Sequence, residues 1–534
     1  MDEMVLLGDE ALALGAIDAG MSSAYGYPGT PSSEIMEYIL EYSSSSKDLF
    51  ATWSSNEKTA YEEALGASFV GKRVLVTMKH VGLNVAADSF MNSALCDING
   101  GLVIAVADDP GMHSSQGEQD SRYYSAFARI MCFEPRNQQE CYEMTREAFD
   151  ISEKFHIPVM IRLVTRLAHS RAVVVPSEKR EANELHKSDN TAGWRLLPAL
   201  ARKNWAKLLE DQTDFEKYTN ESEYNPLSIN TDFTDFGVIT TGLGRNYYDE
   251  AKIELPSLPS HLHISAYPAP KDKIQKLAAS VKKIVVIEEG CTFIEDYLRG
   301  YLEQSIEISG KRNGAISLTG ELNPDNIRGA LGLPKREGLK TEMALPGRPP
   351  QLCKGCPHAD TYAAINSARE EFDNSIVTSD IGCYSLGALP PHKAIETIIC
   401  MGASIGTAKG AAEAGFKPVV AVIGDSTFLH SGISPLVDAV SCNTPMTVII
   451  LDNGTVAMTG GQETILPSSR LKSLIEGIGI EPDHIKTIVP LKKNHTENVD
   501  VIKTEMEYDG ISVVISLREC LETARKRKKA GGNK

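Results

Sequence analysis

Through about residue 170, short apolar runs rich in β-branched residues alternate with longer helix-compatible stretches. Arg73 to Met78, Leu102 to Ala107 and Ile157 to Leu163 are apolar nearly throughout, as expected of strands buried on both faces of a parallel α/β sheet. From 176 to 235 the text turns charged and polar with one short helical segment, which reads as a connector. A second alternating stretch carries strands at Phe236 to Thr241 and Ile284 to Glu288, and Ala344 to Pro350 (ALPGRPP) reads as a linker. The third stretch has strands at Val419 to Ile423 and Thr447 to Leu451, and the closing RKRKKAGGNK is expected to be disordered because it has no core to bury. The pattern predicts an α/β protein with three doubly wound parallel-sheet domains at 1–175, 236–343 and 344–523, a connector at 176–235 and a basic tail at 524–534.

The length of 534 residues fits several domains with large cores and no need of disulfides. A net charge of −17 argues against a nucleic-acid or anionic-membrane binder, which needs a basic field, and favours small molecules or protein partners. No apolar run approaches the roughly 18–20 residues of a membrane span, and the first ten residues, MDEMVLLGDE, lack the basic start of a signal peptide, so a cytoplasmic location is expected. Ten cysteines in a reducing compartment do not form a disulfide framework. Cys96, Cys132, Cys141, Cys291, Cys400 and Cys442 stand singly and are expected to be buried, inert thiols. Gly242-Leu243-Gly244 opens like a dinucleotide fingerprint, but Tyr247 replaces its third glycine, and an ordinary tight turn is the better reading.

One spacing is specific. The strand Val419 to Ile423 runs into Gly424-Asp425-Ser426, and the strand Thr447 to Leu451 runs into Asp452-Asn453. A helix-compatible stretch between them makes the strands parallel neighbours, so Asp425 and Asn453 emerge at the carboxyl edge of one sheet. A carboxylate and an amide oxygen there, with the carbonyl of Thr455 nearby, suit Mg²⁺ completed by water and ligand phosphates. Taken singly, Asp425 reads as a helix cap and Asn453 as a turn residue. Together, 28 residues apart, they resemble the thiamine diphosphate motif, which opens with Gly-Asp and closes with Asn. That cofactor also needs a carboxylate buried beside its aminopyrimidine ring to activate it. Glu57 precedes a helix of small residues and fits, although Glu62 and Glu63 lie close by and a first-turn glutamate stabilised by the helix dipole is an equally local role.

Tyr27-Pro28-Gly29-Thr30-Pro31-Ser32-Ser33-Glu34-Ile35, Val76-Thr77-Met78-Lys79-His80-Val81-Gly82-Leu83-Asn84, Asp108-Asp109-Pro110-Gly111-Met112-His113-Ser114-Ser115-Gln116, Leu451-Asp452-Asn453 and Ala457-Met458-Thr459-Gly460 occur in order along the chain. These strings resemble the alpha subunit of the indolepyruvate ferredoxin oxidoreductases, in the 2-oxoacid:ferredoxin oxidoreductase family. The resemblance implies a pyrimidine-binding domain first, a transketolase-C-like domain in the middle and a diphosphate- and Mg²⁺-binding domain last. It places Glu57 as the activating glutamate, and Tyr27, Pro28, Gly29, Gly382, Cys383, Gly402, Gly424 and Ser426 beside the cofactor. It sets Thr30 near the oxoacid, where the hydroxyl can donate to the carboxylate or a developing alkoxide. The local alternative for Thr30 is an N-cap with Pro31 at the first helical position. Lys79, His80 and His113 follow strand ends at the same edge, as pocket residues or as solvated loop residues.

Cys353-Lys354-Gly355-Cys356 is the one Cys-x-x-Cys of the sequence and by itself suits half a zinc site or a redox dithiol. The resemblance implies instead a 4Fe-4S cluster on Cys353, Cys356, Cys383 and Cys520, able to carry electrons away one at a time. Lys354, Ala359 and the residue before Cys520 depart from the family's usual text, and the ferredoxin-like domain that follows in the family is not present in this sequence. The implied activity is oxidative decarboxylation of an aryl 2-oxoacid to an acyl-coenzyme A with electrons to ferredoxin. A small beta subunit, ferredoxin or a separate ferredoxin-like protein, coenzyme A, the 2-oxoacid and a second alpha chain are the expected partners. A non-oxidative decarboxylase or carboligase on the same scaffold is the alternative, and a scaffold protein without turnover is a third reading.

Overall fold

The computed structural model describes residues 3–46, 48–189, 191–336, 338, 343 and 350–531. It divides into two compact units, Met1–Lys340 and Thr341–Lys534. Residues 344–349 of the expected linker lie outside the described residues.

The first unit is built on two large sheets, beside a two-stranded antiparallel pair of Met4–Leu7 with Arg171–Val174. Across the larger one the strands run Ala266–Tyr267, Cys132–Phe133, Val159–Val164, Leu102–Asp108, Val74–Lys79, Ser23–Gly26 and Phe50–Trp53. All neighbours are parallel except Ala266–Tyr267, which pairs antiparallel with Cys132–Phe133. The second sheet runs Glu307–Ser309, Lys283–Ile287, Gly237–Thr241, Ser260–Ile264 and Leu227–Ser228, with only the last pair antiparallel. The predicted strands therefore form at or within two residues of their expected positions. No break in packing separates 3–175 from 236–336: the second segment lends a strand to the first sheet, and the two share one hydrophobic core. Gly244 opens the helix Gly244–Ala251 with no room for a side chain, since a Cβ would meet the Ile287 carbonyl at 2.5 Å. Its tight turn thus packs helix on strand.

A buried charge network joins the two sheets. Arg162 donates to Asp108 at 2.6 Å and Glu134 at 2.5 Å, while Arg122 donates to Asp120 at 2.9 and 2.5 Å and lies 3.2 Å from Glu288. Both arginines are fully buried. Burial and the surplus of carboxylates push Glu288 up to about 7, although Arg122 and the amides of Ile294 and Glu295 oppose the shift.

In the second unit the order is Thr397–Ile398, Ile376–Ser379, Val419–Gly424, Met446–Asp452, Ile511–Leu517 and Ile485–Ile488, parallel throughout. Alternation explains the two-sided burial. Ala421, Ile423, Val448, Ile450, Val513 and Ile515 feed one core, and Val420, Val422, Ile449, Leu451 and Val514 feed another. Each fully buried Val, Leu or Ile contributes about 1.5–3 kcal/mol, so these strands are held from both faces.

Three expectations are corrected. The connector holds a long helix, Pro198–Glu221, rather than a short one. Its polar text hides that helix because only Leu208, Phe215 and Thr219 are buried. The basic tail is helical over Leu521–Gly531, composed of good helix formers and tied down by Lys526 Nζ to the Gly460 carbonyl at 2.8 Å and Arg527 to Glu519 at 2.9 Å, while 532–534 lie outside the described residues. Cys400 and Cys442 are exposed and Cys291 is only half-buried, whereas Cys96, Cys132 and Cys141 are buried as expected. No helix among the described residues is long and apolar enough to cross a membrane.

Candidate active site

In the first unit the predicted residues gather at the carboxyl ends of four adjacent parallel strands, Ser23–Gly26, Phe50–Trp53, Val74–Lys79 and Leu102–Asp108. Tyr27 and Pro28 are buried in the first of these loops. Gly29 lies against Lys79, and a Cβ there would sit 3.0 Å from that of Lys79. Ser32 Oγ donates to the Gly29 carbonyl at 2.8 Å and Ser33 Oγ accepts from the Gly29 amide at 3.0 Å. These serines satisfy the turn, so the helix starts at Ser33 with Ser32 as its N-cap. Thr30 is therefore not the cap, Pro31 is not the first helical residue, and the Thr30 side chain stays half-buried outside the helix.

Glu57 is the first residue of the helix Glu57–Phe69, which Asn56 caps by accepting from the Thr59 amide at 2.8 Å. It is 5 % exposed, whereas Glu62 and Glu63 are exposed, with Glu62 paired to Lys58 and Glu63 accepting from Ser54 Oγ at 2.5 Å. Burial thus separates three glutamates that sequence alone leaves together. The Glu57 carboxylate lies against Gly82, where a Cβ would meet its Oε1 at 2.5 Å. Lys79 ends its strand buried and donates to the Ser114 carbonyl at 2.7 Å and hydroxyl at 3.1 Å. Burial pulls its pKa down to about 8, with Asp109 opposing. His80, 2 % exposed, opens the next helix, and neither ring nitrogen has a partner in hydrogen-bonding geometry. Burial holds it below the usual histidine range. Lys79 and His80 are thus not solvated loop residues. His113 is: it is 55 % exposed and pairs with Glu321 at 3.1 Å.

In the second unit the Gly424 and Asp452 strand ends bring Asp425, Asn453 and Thr455 together, all buried. Asp425 accepts from the Ser426 amide at 2.8 Å and the Gly454 amide at 2.8 Å, the latter presented by a left-handed turn at Gly454 with φ +71°. Burial, and then the Asp452 carboxylate beside it, push Asp425 up to about 7. Asn453 Oδ1 accepts from the Thr455 amide at 3.0 Å, and its Nδ2 lies 3.2 Å from His358 Nε2. The turn role and the edge position of Asn453 therefore coexist. Gly382 and Gly424 face the ring of Tyr384, and Gly402 faces Ser431. Tyr384 hydrogen-bonds Asp380, whose other oxygen accepts from Ser404 Oγ at 2.6 Å.

Cys353, Cys356, Cys383 and Cys520 converge in this unit. Burial, followed by the charges of Cys356, Cys520 and Cys353, pushes the Cys383 thiol up to about 11. Among the described residues no three of these sulfurs lie within 4.8 Å of one another, wider than the ligand set of a single zinc ion. The Cys520 amide donates to the Asn453 carbonyl at 3.1 Å, which sets Cys520 beside Asn453.

Sequence reasoning assigns no role to Gly82, Asp109, Ser114, Asp452 or His358. Asp452 had a visible signal, its place one residue before Asn453 at a strand end. Asp109 had none, because what it does is hold Ser114 and Ser115 at 2.8 and 2.6 Å, a loop contact with no periodicity.

Residues 14–225 match the thiamine diphosphate-binding family of pyruvate flavodoxin/ferredoxin oxidoreductase, and residues 380–515 match the C-terminal binding domain of thiamine pyrophosphate enzymes. Indolepyruvate oxidoreductase subunit IorA of Archaeoglobus fulgidus is 37 % identical over 99 % of this chain and 88 % of its own length. Its counterpart from Methanothermobacter thermautotrophicus is 36 % identical over 97 % of this chain and 87 % of its own. The 2-oxoglutarate:ferredoxin oxidoreductase of Magnetococcus marinus shares the fold, with a TM-score of 0.53 at 16 % identity over 62 % of this chain and 65 % of that one. At the identity and coverage of its archaeal relatives, the chain belongs to the IorA family of indolepyruvate oxidoreductase subunits and is a thiamine diphosphate-dependent 2-oxoacid oxidoreductase.

Proposed function

We propose that the chain is the thiamine diphosphate- and Mg²⁺-binding alpha subunit of an enzyme that oxidatively decarboxylates an aryl 2-oxoacid of the indolepyruvate type. Carbon dioxide leaves the substrate, two electrons pass singly to ferredoxin and the acyl group goes to coenzyme A, with a small beta subunit and a ferredoxin or ferredoxin-like protein as partners. The donor set fits the cation: Asp425 and Asp452 are buried side by side, and Asp452 Oδ2 has no hydrogen-bond partner among the described residues. Asp425, Asn453 and Thr455 would hold Mg²⁺ and through it the diphosphate. Bound thiamine diphosphate supplies the electron sink for decarboxylation. Glu57 holds or releases a proton at its carboxyl, kept from water by its burial against Gly82. Thr30 and Lys79, linked through Ser114, which donates to the Thr30 carbonyl at 3.1 Å, orient the oxoacid carboxylate. His80 lines the same edge, whereas the exposed, paired His113 serves the loop.

The observation that carries the oxidative reading is the convergence of Cys353, Cys356, Cys383 and Cys520 beside the Asp425 edge, which supports a 4Fe-4S outlet for the electrons. Anaerobic purification with iron and sulfide analysis, followed by turnover of a panel of 2-oxoacids with coenzyme A and a low-potential acceptor, tests it. A brown protein that reduces the acceptor fastest with aryl substrates is expected. A colourless, iron-free protein that releases aldehyde or acyloin without an acceptor would sink it in favour of non-oxidative decarboxylation or carboligation.

A further inference from the structure

Next to the Gly29 turn, but using none of the residues assigned above, Asp9, Glu34 and His169 bring three ligand atoms within 4.8 Å of one another. They come from three helices, Gly8–Asp18, Ser33–Ser45 and Thr165–His169. Asp9 is 0 % exposed, and neither of its carboxylate oxygens has a hydrogen-bond partner. Glu34 Oε2 is also buried without one. A carboxylate removed from water without donors is unfavourable unless a positive charge meets it, and here it points at a second carboxylate and an imidazole. Glu34 Oε1 and His169 Nε2 stand 3.5 Å apart. That spacing is close to the edge of a tetrahedron, about 3.4 Å for metal bonds of about 2.0–2.2 Å.

We infer that Asp9, Glu34 and His169 form a site for one first-row divalent transition-metal ion, zinc foremost, distinct from the Asp425 edge and the four cysteines. One imidazole and two carboxylates suit zinc or cobalt over the softer ions that thiolates select, and three protein ligands leave a fourth position for water. Glu34 and His169 are each 35 % exposed, which gives an ion an entrance to the buried Asp9 floor. The ion would clamp together three helices, one of which begins directly after the Tyr27 to Thr30 turn.

The test uses the full chain saturated with Mg²⁺ and thiamine diphosphate, titrated with Co²⁺ and with Zn²⁺, for the wild type, Asp9→Asn and His169→Gln. The wild type should take up one equivalent of Co²⁺ more than either variant. The difference spectrum should show ligand-field bands without thiolate charge transfer, which separates this site from the cysteines. Zn²⁺ should raise the melting temperature of the wild type more than that of the variants. Asp9→Asn keeps the shape and adds no charge to the buried site, so it should fold. Equal metal uptake by wild type and Asp9→Asn, or a difference band with thiolate character, would overturn the assignment.

Discussion

Arg122→Met keeps the apolar stem of the side chain and deletes its guanidinium from the network that joins the two sheets of the first unit. In the wild type, two guanidiniums, Arg122 and Arg162, face four carboxylates, Asp108, Asp120, Glu134 and Glu288. The variant leaves one guanidinium for the four and takes from Asp120 the donors at 2.9 and 2.5 Å, leaving it the amides of Arg122 and Cys291 and the Arg162 guanidinium at 3.5 Å. Removing one partner from a buried ion pair costs about 3–5 kcal/mol, because the charge left behind loses its closest counter-charge without regaining water. An unfolding entropy of about 2.1 cal/mol/K per residue over the 340 residues of this unit gives about 0.7 kcal/mol/K, so its melting temperature should fall by about 4–7 °C. Differential scanning calorimetry of the full chain reads this directly. Adding Glu288→Gln should recover part of the loss, since it removes one of the surplus carboxylate charges. A fall of less than about 1 °C, or a double variant less stable by the sum of the two single losses, would refute the charge-balance reasoning.

Other consequences are as concrete. Glu57→Gln should lower turnover by about 10²–10⁴-fold while leaving Mg²⁺-dependent thiamine diphosphate binding by calorimetry in place; unchanged turnover would exclude Glu57 as the proton-handling group. Gly82→Ala gains about 1 kcal/mol of helix propensity against overpacking of about 1–3 kcal/mol, so stability should change little. Turnover, however, should drop about 10²-fold because the new Cβ displaces the Glu57 carboxylate. Equal kcat in wild type and variant would count against that contact. Glu288 has its pKa raised from 4.5 to about 7, so its contribution to stability is full below pH 4.5 and is lost as pH rises to about 7. Relative to Glu288→Gln, the wild type should lose about 3 kcal/mol across that window in denaturant titrations, and parallel pH curves would refute the assignment.

The parts of this architecture that depend on local pattern were legible in the sequence. The apolar runs ending in Gly424-Asp425 and Asp452-Asn453 become neighbouring parallel strands in the register Gly424 to Leu451, because a strand buried on both faces leaves no alternative for such text. What escaped depends on distance along the chain. Arg122 and Glu288 look like surface charges until the fold brings positions 166 residues apart within 3.2 Å. The helix Pro198–Glu221 escaped for another reason: with three buried side chains it has no apolar stripe for periodicity to find. The choice of Glu57 over Glu62 and Glu63 needed burial, which three glutamates within seven residues cannot express by themselves.

The short strand Ala266–Tyr267 has a consequence for how this chain can be cut. It caps the open flank of Cys132–Phe133, whose amides and carbonyls would otherwise be a template for pairing with another molecule. A fragment ending at the first connector would carry that flank bare, together with the apolar side chains that the later segment covers. Dissection or domain exchange should therefore keep residues 3–336 as one exchangeable block, because the aggregation guard of its first half is encoded in its second.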